Sequence, residues 1–180
     1  MSDTTPAAAG KAGYVQIYTG DGKGKTSAAL GLALRALGSG LRVCFAQFMK
    51  SRPTGEIEAL GRFESARSLR SEVSDPRFLH EMSPSERAEY LGGQRRLFFS
   101  IGFDADVLVL DEVFSAISCG ALSEAELCAL LDRRPPSVEI ALTGCDPGAE
   151  ILRRADYITR MEKIAHPYDR GAPARRGIEY

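Results

Sequence analysis

The segment that most constrains this chain is Gly20-Asp-Gly-Lys-Gly-Lys-Thr-Ser27. It lies between a β-rich run, Tyr14-Val-Gln-Ile-Tyr18, and an Ala- and Leu-rich stretch from Thr26 to Leu37. Leu30, Ala33, Leu34 and Leu37 recur at helical spacing, and Gly38 and Gly40 end the pattern. A second strand is expected over 42–48, with Val-Cys-Phe-Ala-Gln-Phe at its centre. Strand, glycine loop, helix and strand within about 35 residues outline a βαβ unit, which requires a parallel pair of strands and a crossover helix.

The composition of that loop has a chemical reason. Glycines let backbone N–H groups turn inward around phosphate oxygens, and the following helix N-terminus adds partial positive charge. Only five lysines stand against eighteen arginines in the whole chain, and Lys23 and Lys25 are two of the five. The loop resembles the Walker A pattern G-x-x-x-x-G-K-[ST], with Thr19 at the position of the first Gly. In that pattern Lys25 neutralises phosphate charge and Thr26 offers a hydroxyl to Mg²⁺. A glycine turn that caps a helix and binds nothing is the plain alternative, which the flanking strand and helix argue against.

The rest of the chain alternates strands and helices. Residues 50–80 are rich in Arg and Ser, with turn signals at Pro53-Thr54-Gly55 and Ser74-Asp75-Pro76 and a short strand expected around Phe63. Ser83-Pro84-Ser85-Glu86 is a capping box that predicts a helix from Pro84 to about Phe99. The run over 106–110 contains Val-Leu-Val-Leu, as expected of a strand buried on both faces of a parallel sheet. Ser123-Glu-Ala-Glu126 opens a further helix that ends before Pro135-Pro136, and a strand is expected over 138–142. A short helix from Asp146-Pro147 to Ala155 and a strand over 157–161 follow, then an aperiodic tail from His166. Alternating strands and helices imply an α/β fold, a mostly parallel sheet with helices on both faces, and the loop's resemblance to Walker A makes the expected fold P-loop NTPase-like (RecA-like).

At 180 residues the chain is expected to form one domain over 13–180, preceded by a flexible lead-in over 1–12. Its net charge of −1 argues against a surface built to hold nucleic acid or an acidic membrane. No apolar run approaches the roughly 20 residues of a membrane span, and Met1 to Lys11 lacks a secretory signal pattern. Cys44, Cys119, Cys128 and Cys145 form no CxxC pair, so reduced thiols in a cytoplasmic protein are expected and a zinc site is not.

A second chemical signal stands about 85 residues beyond the loop, where Val107-Leu-Val-Leu110 delivers Asp111 and Glu112. It resembles a Walker B strand. In a parallel sheet these carboxylates emerge at the edge that carries the loop, within reach of the same Mg²⁺ (or Mn²⁺). Two such motifs in this order point to nucleotide binding. They do not name the reaction.

The reaction comes from resemblance. Gly20 to Ser27, followed by Gly31, Arg35 and Gly38, is similar to the loop and helix of the P-loop ATP:corrinoid adenosyltransferases, which typically read G-N-G-K-G-K-T-T. Gln47-Phe48-Met49-Lys50, Val109-Leu-Asp-Glu112 and Leu142-Thr-Gly144 match further segments of that family. The most specific match is the tail, His166-Pro-Tyr-Asp-Arg-Gly171, then Ala174-Arg175 and Gly177-Ile-Glu-Tyr180. The resemblance covers roughly 14–180 and is weakest over 50–105.

It implies transfer of the 5′-deoxyadenosyl group of ATP to Co(I) of a corrinoid, with release of tripolyphosphate, in cobalamin biosynthesis or salvage. By resemblance Gly20, Asp21, Gly22, Lys23, Gly24, Lys25, Thr26 and Ser27 bind ATP, and Lys25 and Glu112 are the catalytic pair. Thr26, Asp111 and Glu112 would hold the metal. Arg35 is a nucleotide contact or a cation complementing the end of its helix. Phe78, His80 and His166 are expected near the corrinoid, with a core or solvated loop role the alternative for the first two. A homodimer and a reducing flavoprotein partner are also implied.

The chain departs from the family in places. It reads Arg77-Phe78-Leu79-His80 where many relatives have Gly-Phe-x-Trp, and it contains no Trp. Cys145 and Ala165 stand where Arg and Lys are common. Two other readings therefore stay open: an ATPase or kinase that cleaves the γ-phosphate, and a nucleotide- or corrinoid-binding protein without turnover.

Overall fold

The computed structural model describes residues 12–75 and 77–180; the lead-in expected over 1–12 lies, apart from Ala12, outside them. In chain order the elements are β1 (Val15–Thr19), α1 (Lys25–Gly38), β2 (Val43–Gln47), α2 (Gly55–Leu60) and β3 (Ala66–Arg70). After them come α3 (Pro84–Phe99), β4 (Val107–Asp111), α4 (Val113–Ser118), α5 (Glu124–Asp132), β5 (Glu139–Thr143), α6 (Ala149–Leu152) and β6 (Tyr157–Arg160). Single 3₁₀ turns occupy Leu79–Glu81 and Pro167–Arg170.

The strands form one sheet in the order β3-β2-β4-β5-β1-β6, and every pairing is parallel. β2 and β4 are buried at every position because helices cover both sides. Val43, Phe45, Val107, Val109 and Ala141 pack with Ala29, Ala33, Ala36 and Leu37 of α1 and Leu60 of α2. The alternate residues Cys44, Ala46, Leu108, Leu110, Ile140 and Leu142 pack on the other face, against Phe98 of α3, Phe114 of α4, Leu127 of α5 and Ile151 of α6. The small alanine face of α1 lets that helix lie close on the sheet directly beneath the glycine loop.

Both capping boxes form. Ser83 and Glu86 exchange side-chain and backbone hydrogen bonds at the start of α3, as do Ser123 and Glu126 at α5. The strand expected around Phe63 is displaced. Phe63 N–H donates to Leu60 O as α2 ends, and pairing with β2 begins only at Ala66.

One edge of the sheet concentrates unusual backbone. Among the described residues, the non-glycine ones with positive φ are Met49 (55°), Glu112 (61°) and Asp146 (52°), which follow β2, β4 and β5, while Gly20 (101°) follows β1. Such conformations persist where the surroundings over-determine them, and they cluster at functional sites. Here all four lie at the carboxyl ends of the strands, the edge where ligands of open α/β sheets bind.

Candidate active site

The loop after β1 is shaped by its glycines. Gly20 has φ of 101°, and a Cβ there would lie 2.2 Å from Met161 O, so no other residue fits without movement. Gly22 N–H donates to Met161 O at 2.8 Å, which seats the loop on the segment leaving β6. Gly24 caps α1 in the left-handed region with no side-chain cap, and no acid occupies the first turn. The first amides of α1 are thus left facing an open cleft, the arrangement that receives anions. Lys25 curls over the loop, with Nζ donating to Gly20 O at 2.7 Å and Gly22 O at 2.8 Å.

Asp111 is the hub beneath this loop. Its side chain is fully buried at the end of β4. Oδ1 accepts from Thr26 Oγ1 at 2.8 Å and Thr143 Oγ1 at 2.7 Å. Oδ2 accepts from Lys50 Nζ at 2.9 Å and Gln47 Nε2 at 3.0 Å. A buried carboxylate is tolerated only with such pairing. Lys50 also donates to Thr26 Oγ1 at 3.3 Å and lies 3.7 Å from Glu56, so its ammonium bridges Thr26 and Asp111, the residues expected at a metal. Gln47 donates its other amide hydrogen to Glu56 Oε1 at 2.8 Å, and its oxygen accepts from Arg70 Nε at 2.9 Å. Glu112 turns out of the strand in its left-handed conformation. Its N–H donates to Thr143 Oγ1 at 2.9 Å, and its carboxylate accepts from Ser115 Oγ at 2.6 Å.

A cleft of about 510 Å³ opens over these groups. Its lining brings together Asp21 to Ser27, Lys50, Glu56, Glu112, His166 and the tail residues Gly177 to Tyr180. The tail is clamped to the loop by Lys23 and Glu179 at 2.8 Å. Arg175, with Lys23, holds the Glu179 carboxyl well below the usual carboxylate range. Asp21 is tied at its rim: it accepts from Lys163 N–H at 3.1 Å, the main cause of its lowered pKa.

Three expected site residues are not brought to this cleft. Arg35 is exposed in the last turn of α1, roughly 15 Å along the helix axis from Lys25 at 1.5 Å per residue. Phe78 is 70% exposed and stacks on exposed His80 with ring centroids 5.6 Å apart. At the two family departures, Cys145 Sγ sits 3.2 Å from Gly20 O, and Lys163, two residues before Ala165, reaches Asp169 at 3.0 Å.

Sequence reasoning passed over Lys50, Gln47, Thr143 and Glu56. A signal for the first two was present, since Gln and Lys closing an apolar strand of a parallel sheet emerge at its ligand edge. Thr143, which closes the apolar strand β5, carried the same cue, whereas Glu56 lies in the short helix α2 and gave none.

The family model described as ATP:corrinoid adenosyltransferase BtuR/CobO/CobP matches residues 11–180. The chain is 31% identical to corrinoid adenosyltransferase CobA of Salmonella typhimurium, over 93% of this chain and 86% of that one. It is 30% identical to the corrinoid adenosyltransferase of Escherichia coli K12, with the same coverage. It is also 30% identical to that of Pseudomonas aeruginosa, over 93% of this chain and 84% of that one.

Proposed function

The chain belongs to the ATP:corrinoid adenosyltransferase family, and from that premise we propose that its loop binds the triphosphate of ATP while the corrinoid approaches over the adjoining cleft. The protein is a transferase that moves the 5′-deoxyadenosyl group of ATP to the cobalt of a reduced corrinoid, a step of cobalamin biosynthesis or salvage. Co(I) supplies the electron pair that forms the cobalt–carbon bond at C5′. The C5′–O bond breaks, and its electrons leave on tripolyphosphate.

The leaving group gathers negative charge along three phosphates, so catalysis depends on stabilising that charge where it develops. Lys25 is poised over the loop, the free amides of α1 point into the cleft, and Lys50 adds a second ammonium. Glu112, at the mouth beside Ser115, orients the ribose or its ligands. The Lys23–Glu179 clamp brings the tail, and His166 with it, over the bound nucleotide. The observation that carries the reading is this convergence of loop, buried Asp111 and tail on one cleft.

The residues present fit a hard divalent cation. Thr26 hydroxyl and Asp111 carboxylate are oxygen donors, and an ammonium already bridges them, which marks the spot as one that favours positive charge. Thr26 would hold Mg²⁺ (or Mn²⁺), with Asp111 and Glu112 beside it, and the ion would neutralise phosphate charge. A homodimer is supported by the resemblance and by the edge strand β6, where Tyr157 and Ile158 are exposed. A reducing flavoprotein would supply Co(I), in the cytoplasm. Among the described residues no helix is long and apolar enough to cross a membrane.

The test is anaerobic incubation of the protein with ATP, Mg²⁺ and chemically reduced cob(I)alamin, followed by visible spectra and phosphate analysis. Light-sensitive adenosylcobalamin with stoichiometric tripolyphosphate is expected. ADP and phosphate without a cobalt–carbon bond would replace the reading with γ-phosphate cleavage.

A further inference from the structure

Lys50 leaves the end of β2 by an unusual backbone route. Met49, just before it, holds φ of 55° and donates its N–H to Gln94 Oε1 at 3.0 Å. The turn brings the Lys50 ammonium over the end of the neighbouring strand β4. There it meets Asp111 Oδ2 at 2.9 Å, Thr26 Oγ1 at 3.3 Å and Glu56 Oε1 at 3.7 Å. These oxygens are themselves fixed. Arg70 Nε donates to Gln47 Oε1 at 2.9 Å, which aims the Gln47 amide hydrogens at Glu56 and Asp111. Thr26 gives its hydroxyl hydrogen to Asp111 Oδ1 at 2.8 Å and turns its oxygen toward Lys50. Two carboxylates thus surround one ammonium, while Arg70 interacts with both only through space.

The oxygens that Lys50 holds are those that fit a divalent cation, so ammonium and metal compete for them. Asp111 is fully buried, and taking its cation away without replacement is costly. An ammonium pushed off Asp111 in the nucleotide-free cleft keeps only Glu56 close by. Phosphate oxygens change that balance. Lys50 lines the same cleft as Gly22 to Ser27, and its flexible four-carbon stem lets the charge turn from Asp111 to a triphosphate there. We propose that Lys50 is a resident counter-ion of the metal site, which keeps divalent cations off Thr26 and Asp111 until a triphosphate enters the cleft and takes up the ammonium. Metal and nucleotide then bind as a coupled pair, each raising the affinity for the other by the same factor. The proposal rests on the reading of Thr26 and Asp111 as the residues beside the metal. What it adds is that the protein carries its own cation to hold that place beforehand.

The test reads metal binding to the full chain by Mn²⁺ electron paramagnetic resonance, and stability by thermal melts in EDTA and in Mg²⁺. Wild type is compared with Lys50→Met, Lys50→Gln and Lys50→Arg. Without nucleotide, the Met and Gln variants should bind Mn²⁺ at least about tenfold more tightly than wild type or Lys50→Arg. Mg²⁺ at about a hundredfold excess over the variants' Kd should raise their melting temperatures by about 5 °C or more, and that of wild type by less than about 1 °C. Asp111→Asn added to Lys50→Gln should remove the gained site. ATP should tighten protein-bound Mn²⁺ by a factor about tenfold smaller in the two variants than in wild type, because they have already lost the competitor. If Lys50→Met does not fold in EDTA, its recovery on adding Mg²⁺ reads the same effect, and Lys50→Gln, which keeps a donor for Asp111, supplies the Mn²⁺ series. Equal Mn²⁺ affinity in wild type and variants without nucleotide, or none in any of them, would overturn the proposal and leave the metal reading standing. Adenosyl transfer by wild type at full rate in EDTA would strike the metal reading, and the proposal with it.

Discussion

At the phosphate corner each charged side chain is already engaged: Lys25 by loop carbonyls, Asp111 by four donors, Lys23 by Glu179. Along residues 77–82 the two rings stack on each other and stand in solvent, and the tether is the ion pairing of Arg77 with Asp75 and Glu86 at its base. The two regions meet different demands. Dipoles and charges fixed in advance are what stabilise a triphosphate, and the corner at the sheet edge carries them. The stacked pair of Phe78 and His80 stands in solvent, where its side chains keep the freedom to turn.

Breaking the corner should have the largest effect. Lys25→Met and Asp111→Asn should each lower the single-turnover rate of cobalt–carbon bond formation by about 10²–10³, the usual scale for removing one preorganised charge partner. Lys50→Met leaves the buried carboxylate without its cation. Loss of one partner of a buried pair costs about 3 kcal/mol or more, so a melting temperature roughly 10 °C lower is expected, with partial recovery in Lys50→Arg. If Lys50→Met melts like the wild type, Asp111 is not held as described.

Acid should act on the other region. Glu86 is drawn from its ordinary 4.5 to about 2, first by Arg77 and then by the Ser83 cap. Its folded pKa is depressed, so its contribution is complete above about pH 4.5 and is lost as pH falls toward 2. Thermal melts between pH 5 and pH 2, approximate limits set by that linkage, should show a smaller decline in Glu86→Gln than in wild type. The smallest change is expected from Phe78→Ala. Its melting free energy should stay within about 0.5 kcal/mol and its KM for ATP should not move. Only the corrinoid KM should rise, by about threefold for a partly exposed aromatic contact. A loss of ATP affinity in that variant would join the two regions that the structure keeps apart.

Periodicity and caps made most elements readable. The helix over Pro84–Phe99 was legible because Ser83 and Glu86 announce its start, and the Val-Leu-Val-Leu strand because both faces are apolar. Helix α2 was not, since Gly55-Glu-Ile-Glu-Ala-Leu60 has only six residues and buries Leu60 alone. The phosphate loop is local in sequence and could be read from its own residues. The hub is not local. Gln47, Lys50, Asp111 and Thr143 meet only because β2, β4 and β5 lie side by side, a property of strand order that no short motif carries.

That strand order bears on how the protein comes into being on the ribosome. β1 pairs with β5, Val15 opposite Ile140, and with β6, Gln16 opposite Tyr157, and with no strand made earlier. At about 5–20 residues per second, on the order of ten seconds of synthesis separates the first strand from its neighbours. Throughout that interval the glycine loop lacks the Met161 carbonyl that seats it. Nucleotide capture therefore belongs to the last moments of translation, and a nascent chain stalled before β6 would hold the whole phosphate motif without a site to show for it.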